Sequence, residues 1–443
     1  MTRVAVGLLC LWGLLGFARS LEAQGEYEID LEAIEKEIAR TVEKPYSLGG
    51  FLEFEPVLFG LDRDAAFYRL RFFDRDEGDL LTQYSFRLRP EGSYRLALLS
   101  LFARANILGQ DTYRGWDTEA QLFEGVAALK PHPSLTFEVG KKVVKWGKGY
   151  AWNPVAFIDR PKNPEDPEEA LEGFYLAATT VIRSFHGSLK TVTFTPVLLP
   201  VYTHINDDFG QIHGVNFAAK LYLLLFNTDL DLMVFTGASR TTRYGFDFAK
   251  NLLPNLEVHG EWALLTDVET PIITAQGEPS VRRADVMSYL IGLRYLTPQD
   301  TTFILEYYRN GAGFTREEVT SFFTFVDASD ATFVQTGDAS GLRRAATLTD
   351  GAYGRPNPMR HYLYVRASQK EPFDILYFTP ALTTIVNLTD HSFVLLPEFL
   401  YSPRTNLELR LRGAVLVGDR GTEYGEKQND YRVELRVRWY FQW

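Results

Sequence analysis

The chain has 443 residues, and its acidic residues outnumber its basic ones to give a formal net charge of −11. This balance argues against a nucleic-acid partner, because basic surfaces bind phosphates. Cys10 is the single cysteine and lies within an apolar run, which excludes an intrachain disulfide and argues against a thiolate metal site or a cysteine nucleophile. No later run is apolar for long enough to form a transmembrane helix.

Residues 1–20 have the features of a secretory signal peptide. Arg3 gives a basic start, residues 4–17 form an apolar run, and residues 18–20 are a small-x-small cleavage pattern. The apolar run is too short to span a membrane comfortably, so we predict a cleaved signal and not an anchor. Residues 21–45 form the next segment, and within it residues 26–43 show helical periodicity.

From residue 46 to residue 443, apolar and polar residues alternate in about nineteen short stretches. A period of two places them on opposite faces of a β-strand. The weakest stretches are residues 47–58 and 64–73. The second of these alternates apolar and basic side chains, namely Tyr68, Arg69, Leu70, Arg71 and Phe72.

The connections between these stretches alternate between short and long. The short ones include residues 89–92, 130–134, 226–228, 298–300 and 402–405. The long ones include residues 109–116, 146–173, 200–214, 267–283, 310–358 and 418–430. A closed antiparallel barrel whose termini share one end needs an even number of strands and has its long loops at the other end. We therefore predict an all-β, antiparallel transmembrane barrel of about 18 strands, with 16 as the alternative.

The last stretch, residues 431–443, has the clearest alternation. Its odd positions from Val433 to Trp443 are apolar, and its even positions carry the charges of Arg432, Glu434, Arg436 and Arg438. This ending resembles the terminal strand of bacterial outer-membrane β-barrels, in which a final aromatic residue is the recognition signal for the barrel assembly machinery. The resemblance implies an outer-membrane location and lipid against the odd face. The alternation of short and long connections places both termini in the periplasm, because such barrels have short periplasmic turns and long external loops. Residues 21–45 would then be a solvated periplasmic helix, with a plug at the barrel mouth as the alternative.

Residues 140–169 are the first candidate functional segment. The run K-W-G-K-G…W-N-P within it resembles a segment of poorly characterised porin-type barrel families, which implies a porin-like barrel without indicating a substrate. We predict that the segment folds into the barrel, with Trp146, Trp152, Asn153 and Pro154 as its anchors. Its lysines would then line a constriction that faces acids of the same segment: Lys142, Lys145 and Lys148 against Asp166, Glu168 and Glu169. The alternative is an external loop with solvated charges.

Residues 310–358 form the longest connection. Thr315 and Glu318 form a capping box, after which Val319, Phe322, Phe323 and Val326 share one helical face. This helix either packs on neighbouring loops for rigidity, which we favour, or acts as a lid that gathers apolar ligand, as in barrels resembling the fatty-acid uptake type.

Charged residues on the polar strand faces are the remaining candidates for lining a pore. We predict a basic sector where the first and last strands meet, formed by Arg69, Arg71, Arg87, Arg89, Arg410, Arg412, Arg432, Arg436 and Arg438. We predict an acidic sector on other strands, formed by Glu257, Glu261, Glu306 and Glu398. The favoured interpretation is that these lumen charges merely neutralise one another, and the alternative is that the two sectors orient dipolar or charged solutes. Glu257, His259 and Glu261 share one strand face, which suits either metal or proton binding or paired lumen charges. We favour paired charges and predict no metal.

These features favour a porin-like channel for small solutes, with selectivity from lumen charges and from an infolded loop. The alternatives are a transporter of hydrophobic compounds and, third, a barrel enzyme such as a lipid hydrolase. The sequence contains no local catalytic or nucleotide-binding motif, so we expect no enzyme activity and no cofactor. The expected partners are membrane lipid, the assembly machinery and the solute.

Overall fold

Eighteen antiparallel strands close into a barrel in the computed structural model, which describes residues 44–443. The predicted signal peptide and the predicted helix at residues 26–43 lie outside the described residues. Each strand pairs with its neighbours in sequence, and β1 also pairs with β18, with Gly49 opposite Gln442 and Leu58 opposite Val433. The predicted 18-strand closed barrel is therefore confirmed.

The strands have the following bounds. They are β1 (Tyr46–Leu61), β2 (Leu80–Leu96), β3 (Leu99–Thr112), β4 (Gly115–His132), β5 (Leu135–Lys142), β6 (Phe174–Ser184), β7 (Leu189–Pro200), β8 (Val215–Leu225), β9 (Thr228–Thr236), β10 (Arg243–Leu253), β11 (Leu256–Ile273), β12 (Pro279–Leu296), β13 (Thr301–Arg309), β14 (His361–Gln369), β15 (Phe378–Asn387), β16 (Phe393–Arg404), β17 (Leu407–Val417) and β18 (Asn429–Gln442). The helices are α1 (Ala66–Phe72), α2 (Arg316–Thr336) and α3 (Ser340–Leu348). None of the helices in residues 44–443 is long and apolar enough to cross a membrane.

The two faces of the strands differ as the alternation predicts. In β18, Val433 and Leu435 are 44% and 42% exposed on the outside of the barrel, whereas Glu434 between them is 4% exposed. Connections at the end where β1 begins and β18 finishes, here called the terminal end, are mostly short. Connections at the opposite, distal end are mostly longer, with the two-residue turn between β3 and β4 as an exception.

The predicted strand at residues 64–73 is wrong, because this segment contains helix α1. Its period-two pattern has a different cause: α1 is buried on two sides. Tyr68 and Phe72 join one apolar cluster, while Ala66 and Leu70 join another that includes α2. A short helix that packs between two apolar clusters therefore has the same period-two sequence pattern as a strand.

Arg69 and Arg71 consequently lie on a helix at the distal end and not on the barrel wall, which corrects their predicted place in the basic sector. Arg69 pairs with Asp327 and Asp330 of α2, at 2.5 and 3.4 Å. Arg71 donates hydrogen bonds to Gln428 and, at 3.2 Å, to the hydroxyl of Tyr113. Both arginines join distal connections to one another.

The predicted connection at residues 89–92 is wrong, because these residues lie within β2. Residues 109–116 and 267–283 do contain connections, but the two turns are shorter than predicted, at residues 113–114 and 274–278, and the rest of each range belongs to strands. Pro90 and Gly92 have the composition of a turn, yet Pro90 pairs with Gly50 of β1 at the point where the ladder between β2 and β3 is interrupted. A proline is tolerated at such an irregularity because its missing amide hydrogen leaves no ladder bond unmade.

The capping box at Thr315 is confirmed, and so is the apolar face of the helix it begins. The amide of Glu318 donates to the hydroxyl of Thr315 at 3.2 Å, and the Glu318 carboxylate accepts from the Thr315 amide at 2.8 Å. Phe322 stacks on Tyr353 with ring centroids 4.1 Å apart. The apolar face of α2 is thus covered by neighbouring distal segments, as expected for a helix that rigidifies the loops.

Candidate pore and its crossing loop

The connection between β5 and β6, residues 143–173, passes through the inside of the barrel. It contacts inward-facing side chains on strands that are far apart around the wall: Arg87 on β2, Glu261 on β11, Glu306 on β13 and Arg410 on β17. A segment that touches these strands together must cross the lumen, so we call it the crossing loop. Residues 143–159 are its anchored arm, and residues 163–169 are its acidic arm.

Two wall carboxylates hold the backbone of the anchored arm. Glu261 accepts hydrogen bonds from the amides of Lys148 and Gly149, both at 2.6 Å, and from the amide of Val155 at 3.3 Å. Glu306 accepts from the amides of Tyr150 and Ala151, the latter at 2.9 Å. Hydrogen bonds to a charged acceptor contribute about 1.5–3 kcal/mol each, so these carboxylates bind the arm firmly to the wall.

A glycine makes the approach of Glu261 possible. Gly147 has a φ of +101°, in the left-handed region, and a Cβ added there would lie 2.7 Å from Oε1 of Glu261 and 2.5 Å from Nδ2 of Asn153. Any larger residue would be strained and would displace the wall carboxylate. In the W-G pair of the sequence motif, Trp146 is therefore the buried anchor, and Gly147 lets the backbone beside it come very close to the wall.

Trp146 buries the first part of the anchored arm. It is 1% exposed and lies in an apolar cluster with Val155, Phe157 and wall residues of β6 to β9. The amides of Val144 and Trp146 donate to the carboxylate of Asp159, at 2.8 and 2.9 Å. This carboxylate ties the two ends of the anchored arm together.

Trp152 anchors the arm on the other side of the lumen. Its ring stacks on Tyr308 at 5.1 Å, and its indole nitrogen donates to Asn357 at 3.1 Å. Asn153 donates from Nδ2 to the carbonyl of Trp146 at 2.9 Å, and Pro154, which is half-buried, follows it. Three of the four residues that were proposed from sequence as anchors, Trp146, Trp152 and Asn153, therefore hold the arm in place. Pro154 lies next to them in the chain.

The three lysines that were predicted to line a constriction do not face the acids of the crossing loop, which corrects the predicted pairing. The ammonium of Lys148 lies 3.0 Å from Asp231 and 3.9 Å from Asp247 of the wall, and although burial opposes the charge, these carboxylates raise the pKa of Lys148. Lys142 pairs with Glu138 on its own strand, and Lys145 is exposed. The sequence pattern shows charges but not which wall each charge reaches.

The acidic arm instead pairs with the arginines of the wall. Asp166 Oδ2 lies 2.8 Å from Arg410 and 3.4 Å from Arg412, and these guanidinium groups outweigh burial and lower the pKa of Asp166. Two further pairs join the arm to the same side of the barrel: Glu165 with Arg432 at 2.7 Å, and Glu169 with Arg87 at 3.3 Å. Glu168 meets no wall arginine in these pairs and accepts from the Tyr150 hydroxyl at 2.9 Å.

The basic sector, without Arg69 and Arg71, lies where β2, β17 and β18 meet around β1. Glu53 of β1 stands between Arg87 and Arg438, at 3.2 and 2.6 Å. The remaining contacts pair Arg410 and Arg412 with Glu434, Arg436 with Glu408, and Arg89 with Asn106. Glu53 was missed from the sequence, although it alternates with outward-facing Leu52 and Phe54.

The acidic sector differs in membership from the prediction. Glu398 lies opposite Arg412 in the ladder and pairs with Arg366 at 3.0 Å, so it belongs with the arginines. Asp231 and Asp247 face each other across β9 and β10, and Asp247 faces Glu261 across β10 and β11. These two aspartates are buried and were not singled out from the sequence. The alternation of Phe246, Asp247 and Phe248 is the signal that could have identified the second.

His259 is part of a paired network on the same wall. Its Nε2 lies 2.9 Å from Glu306 and its Nδ1 lies 3.4 Å from Glu257. This arrangement agrees with the favoured interpretation of paired lumen charges. Within residues 44–443, no group of three or more His, Cys, Asp or Glu side chains is placed to hold a metal ion.

A cavity of about 1350 Å³ lies between the crossing loop and the terminal end of the barrel. Ser47, Asn406 and Gln442 line its rim, Arg436 and Arg438 line its wall, and the acidic arm closes its far side. We call this cavity the vestibule. Its size and charged lining suit small hydrophilic molecules.

Comparison with known proteins supports the fold. The sequence matches no family model and no curated protein. Among solved structures, the barrel is similar to Pseudomonas aeruginosa OpdL, with a TM-score of 0.51, 11% identity and coverage of 90% of this chain and 99% of that one. It is also similar to the outer membrane protein opdK of the same organism, with a TM-score of 0.50, 9% identity and the same coverage. At these identities the likeness shows a shared barrel fold, which confirms the resemblance to porin-type barrels at that level.

Proposed function

We propose that this protein is a porin-like channel of the bacterial outer membrane that passes small hydrophilic solutes. The observation that carries the proposal is the crossing loop, which pairs with charged walls on both sides and leaves a charged vestibule of about 1350 Å³. A barrel of 18 strands is too wide to be filled by its own wall side chains. The loop then determines the width and charge of the passage, and thereby the selectivity of the channel.

The geometry favours a channel over a collector of hydrophobic compounds. The apolar face of α2 is covered by Tyr353, Phe314 and α1, and Phe322 is fully buried. A helix that gathers apolar ligand needs an apolar face that the ligand can reach. The vestibule wall, in contrast, carries arginines and carboxylates.

Planar bilayers test the proposal directly. The purified protein should give stable, ohmic single-channel openings whose ion selectivity responds to lumen substitutions. The control is a sample whose migration on gels changes on heating, which shows that the inserted protein is a folded barrel. Folded protein that inserts and stays electrically silent in symmetric salt would contradict the proposal.

The orientation follows from the same barrel: we propose that both termini face the periplasm, since the longer connections of such barrels are external. We also propose that β18 is the strand that the assembly machinery recognises. Trp443 is 74% exposed, and its amide donates to the carbonyl of Leu48 at 2.8 Å. Since its side chain has little to pack against, Trp443→Ala should slow assembly in cells without lowering the stability of protein refolded in detergent. Equal assembly rates for the variant and the wild type would count against recognition through this residue.

A further inference from the structure

Two cavities meet at one residue of the acidic arm. Glu165 lines the vestibule, and it also lines a second cavity of about 90 Å³ on the distal side of the arm. The second cavity is bounded by distal connections, through Pro356 on one side and Tyr424 and Lys427 on the other. Pro356 is exposed at the surface. The Glu165 side chain therefore stands between a space that opens at the terminal end and one that reaches toward the distal surface.

Within residues 44–443, one ion pair holds the side chain of Glu165 in this position. Its carboxylate lies 2.7 Å from the guanidinium of Arg432, and its carbonyl accepts a hydrogen bond from Arg412 at 3.0 Å. Arg432 is itself 3.9 Å from Glu434, so it retains a second carboxylate nearby if Glu165 turns away. Rotation of the Glu165 side chain would thus exchange one ion-pair partner and leave the backbone of the arm attached through Arg412.

The other route across the loop is blocked more firmly. The anchored arm is fixed to the wall by backbone hydrogen bonds to Glu261 and Glu306 and by the burial of Trp146 and Trp152. Opening a path there would break several hydrogen bonds and expose apolar surface. At Glu165, only a half-buried side chain would need to move.

We propose that Glu165 is the gate of the permeation path, which runs from the vestibule between the acidic arm and β18 to the distal cavity. This inference rests on the proposed channel function and adds to it the residue that sets the width and charge of the narrowest point. With Glu165 paired to Arg432 the path is closed to all but the smallest ions. With the carboxylate turned away, Arg412 and Arg432 line the opening and favour anions.

Cysteine modification tests the gate. Cys10, the single cysteine, lies within the predicted signal peptide, so Glu165→Cys and Glu168→Cys are compared in planar bilayers on the mature protein without a background thiol. Both residues line the vestibule, but Glu165 is the one of the two that also lines the distal cavity. A membrane-impermeant cationic methanethiosulfonate reagent should remove most of the current at position 165, when added to either side. At position 168 it should leave most of the current.

Charge and size variants give an independent measurement. Glu165→Ala should raise single-channel conductance, and the isosteric Glu165→Gln should shift selectivity toward anions, while Glu168→Gln should change both much less. Complete modification at position 165, shown by mass, with unchanged current would overturn the gate. So would equal blockade at 165 and 168. A wild-type barrel that forms no openings would overturn the channel proposal itself and this inference with it, so the two failures are distinguishable.

Discussion

The two arms of the crossing loop are held in different ways. The anchored arm is bound through its backbone, which donates to Glu261 and Glu306, and through buried aromatic rings. The acidic arm is bound mainly through side chains, by ion pairs between Asp166, Glu169 and the arginines of the wall. Backbone hydrogen bonds and apolar burial fix a segment in one place, whereas ion pairs beside an open vestibule can exchange partners. The contrast assigns a structural task to one arm and a selective task to the other.

The largest effect should come from removing the aromatic anchor of the first arm. Trp146→Ala should lower the free energy of unfolding by about 3–5 kcal/mol, because it leaves a cavity in a buried cluster. The measurement is the midpoint of denaturant-induced unfolding in detergent, followed by tryptophan fluorescence. Trp116→Ala is the matched control, since Trp116 is 59% exposed and its loss should have little effect. Equal effects of the two substitutions would show that Trp146 is not an anchor.

Removing the charge of Glu261 should have the next largest effect. Glu261→Gln keeps the size of the side chain but weakens three hydrogen bonds to the anchored arm, so stability should fall by about 1–3 kcal/mol. Openings should also become noisier as the arm loosens, and single-channel recordings measure this. Glu257→Gln is the control, because Glu257 is more exposed and its nearest partner is His259 at 3.4 Å. A quiet channel in the Glu261 variant would mean that the aromatic rings alone fix the arm.

The barrel itself could be predicted from sequence because its signal is repeated along the whole chain. Each strand has to present apolar residues to the outside and polar residues to the inside, and a run such as residues 431–443 shows this without reference to other parts of the chain. Helix α1 was mistaken for a strand because the contacts that produce its pattern come from α2 and from the ends of β1 and β2.

The crossing loop could be predicted in part. Its length and its tryptophans indicated that it folds inward, but the sequence gives no distance between a loop residue and a wall. Lys148 and Asp166 therefore received the wrong partners. The actual partners depend on the register of the strands. Asp231, Asp247 and Glu261 form one row only because β9, β10 and β11 are aligned in this register. Such alignment depends on many turn lengths at once.

A smaller effect is expected when the acidic arm loses one charge. Asp166→Asn should lower global stability only modestly, since Arg410 and Arg412 retain Glu434 as a partner, but it should shift selectivity toward anions. Reversal potentials in a salt gradient measure this shift. Glu168→Gln removes the same charge from the same arm without removing a wall contact of this kind, so its shift should be smaller. The arm would not be the selective element if both variants kept the wild-type reversal potential.

The smallest effect should be that of pH on the acidic arm. The arginines lower the pKa of Asp166 in the folded protein, so its ion pairs add stability above the ordinary Asp pKa of about 3.9 and lose it as the pH falls through the lowered value. Asp166 should therefore stay ionised from neutral pH down to about pH 4. Its contribution to conductance should be constant over this range and should change only below about pH 4. In Asp166→Asn this acid-induced change should be reduced, and recordings of both proteins across that range measure the difference. A change that is centred well above the ordinary pKa of Asp and is equal in both proteins would arise elsewhere, and would show that Asp166 does not control the position of the arm.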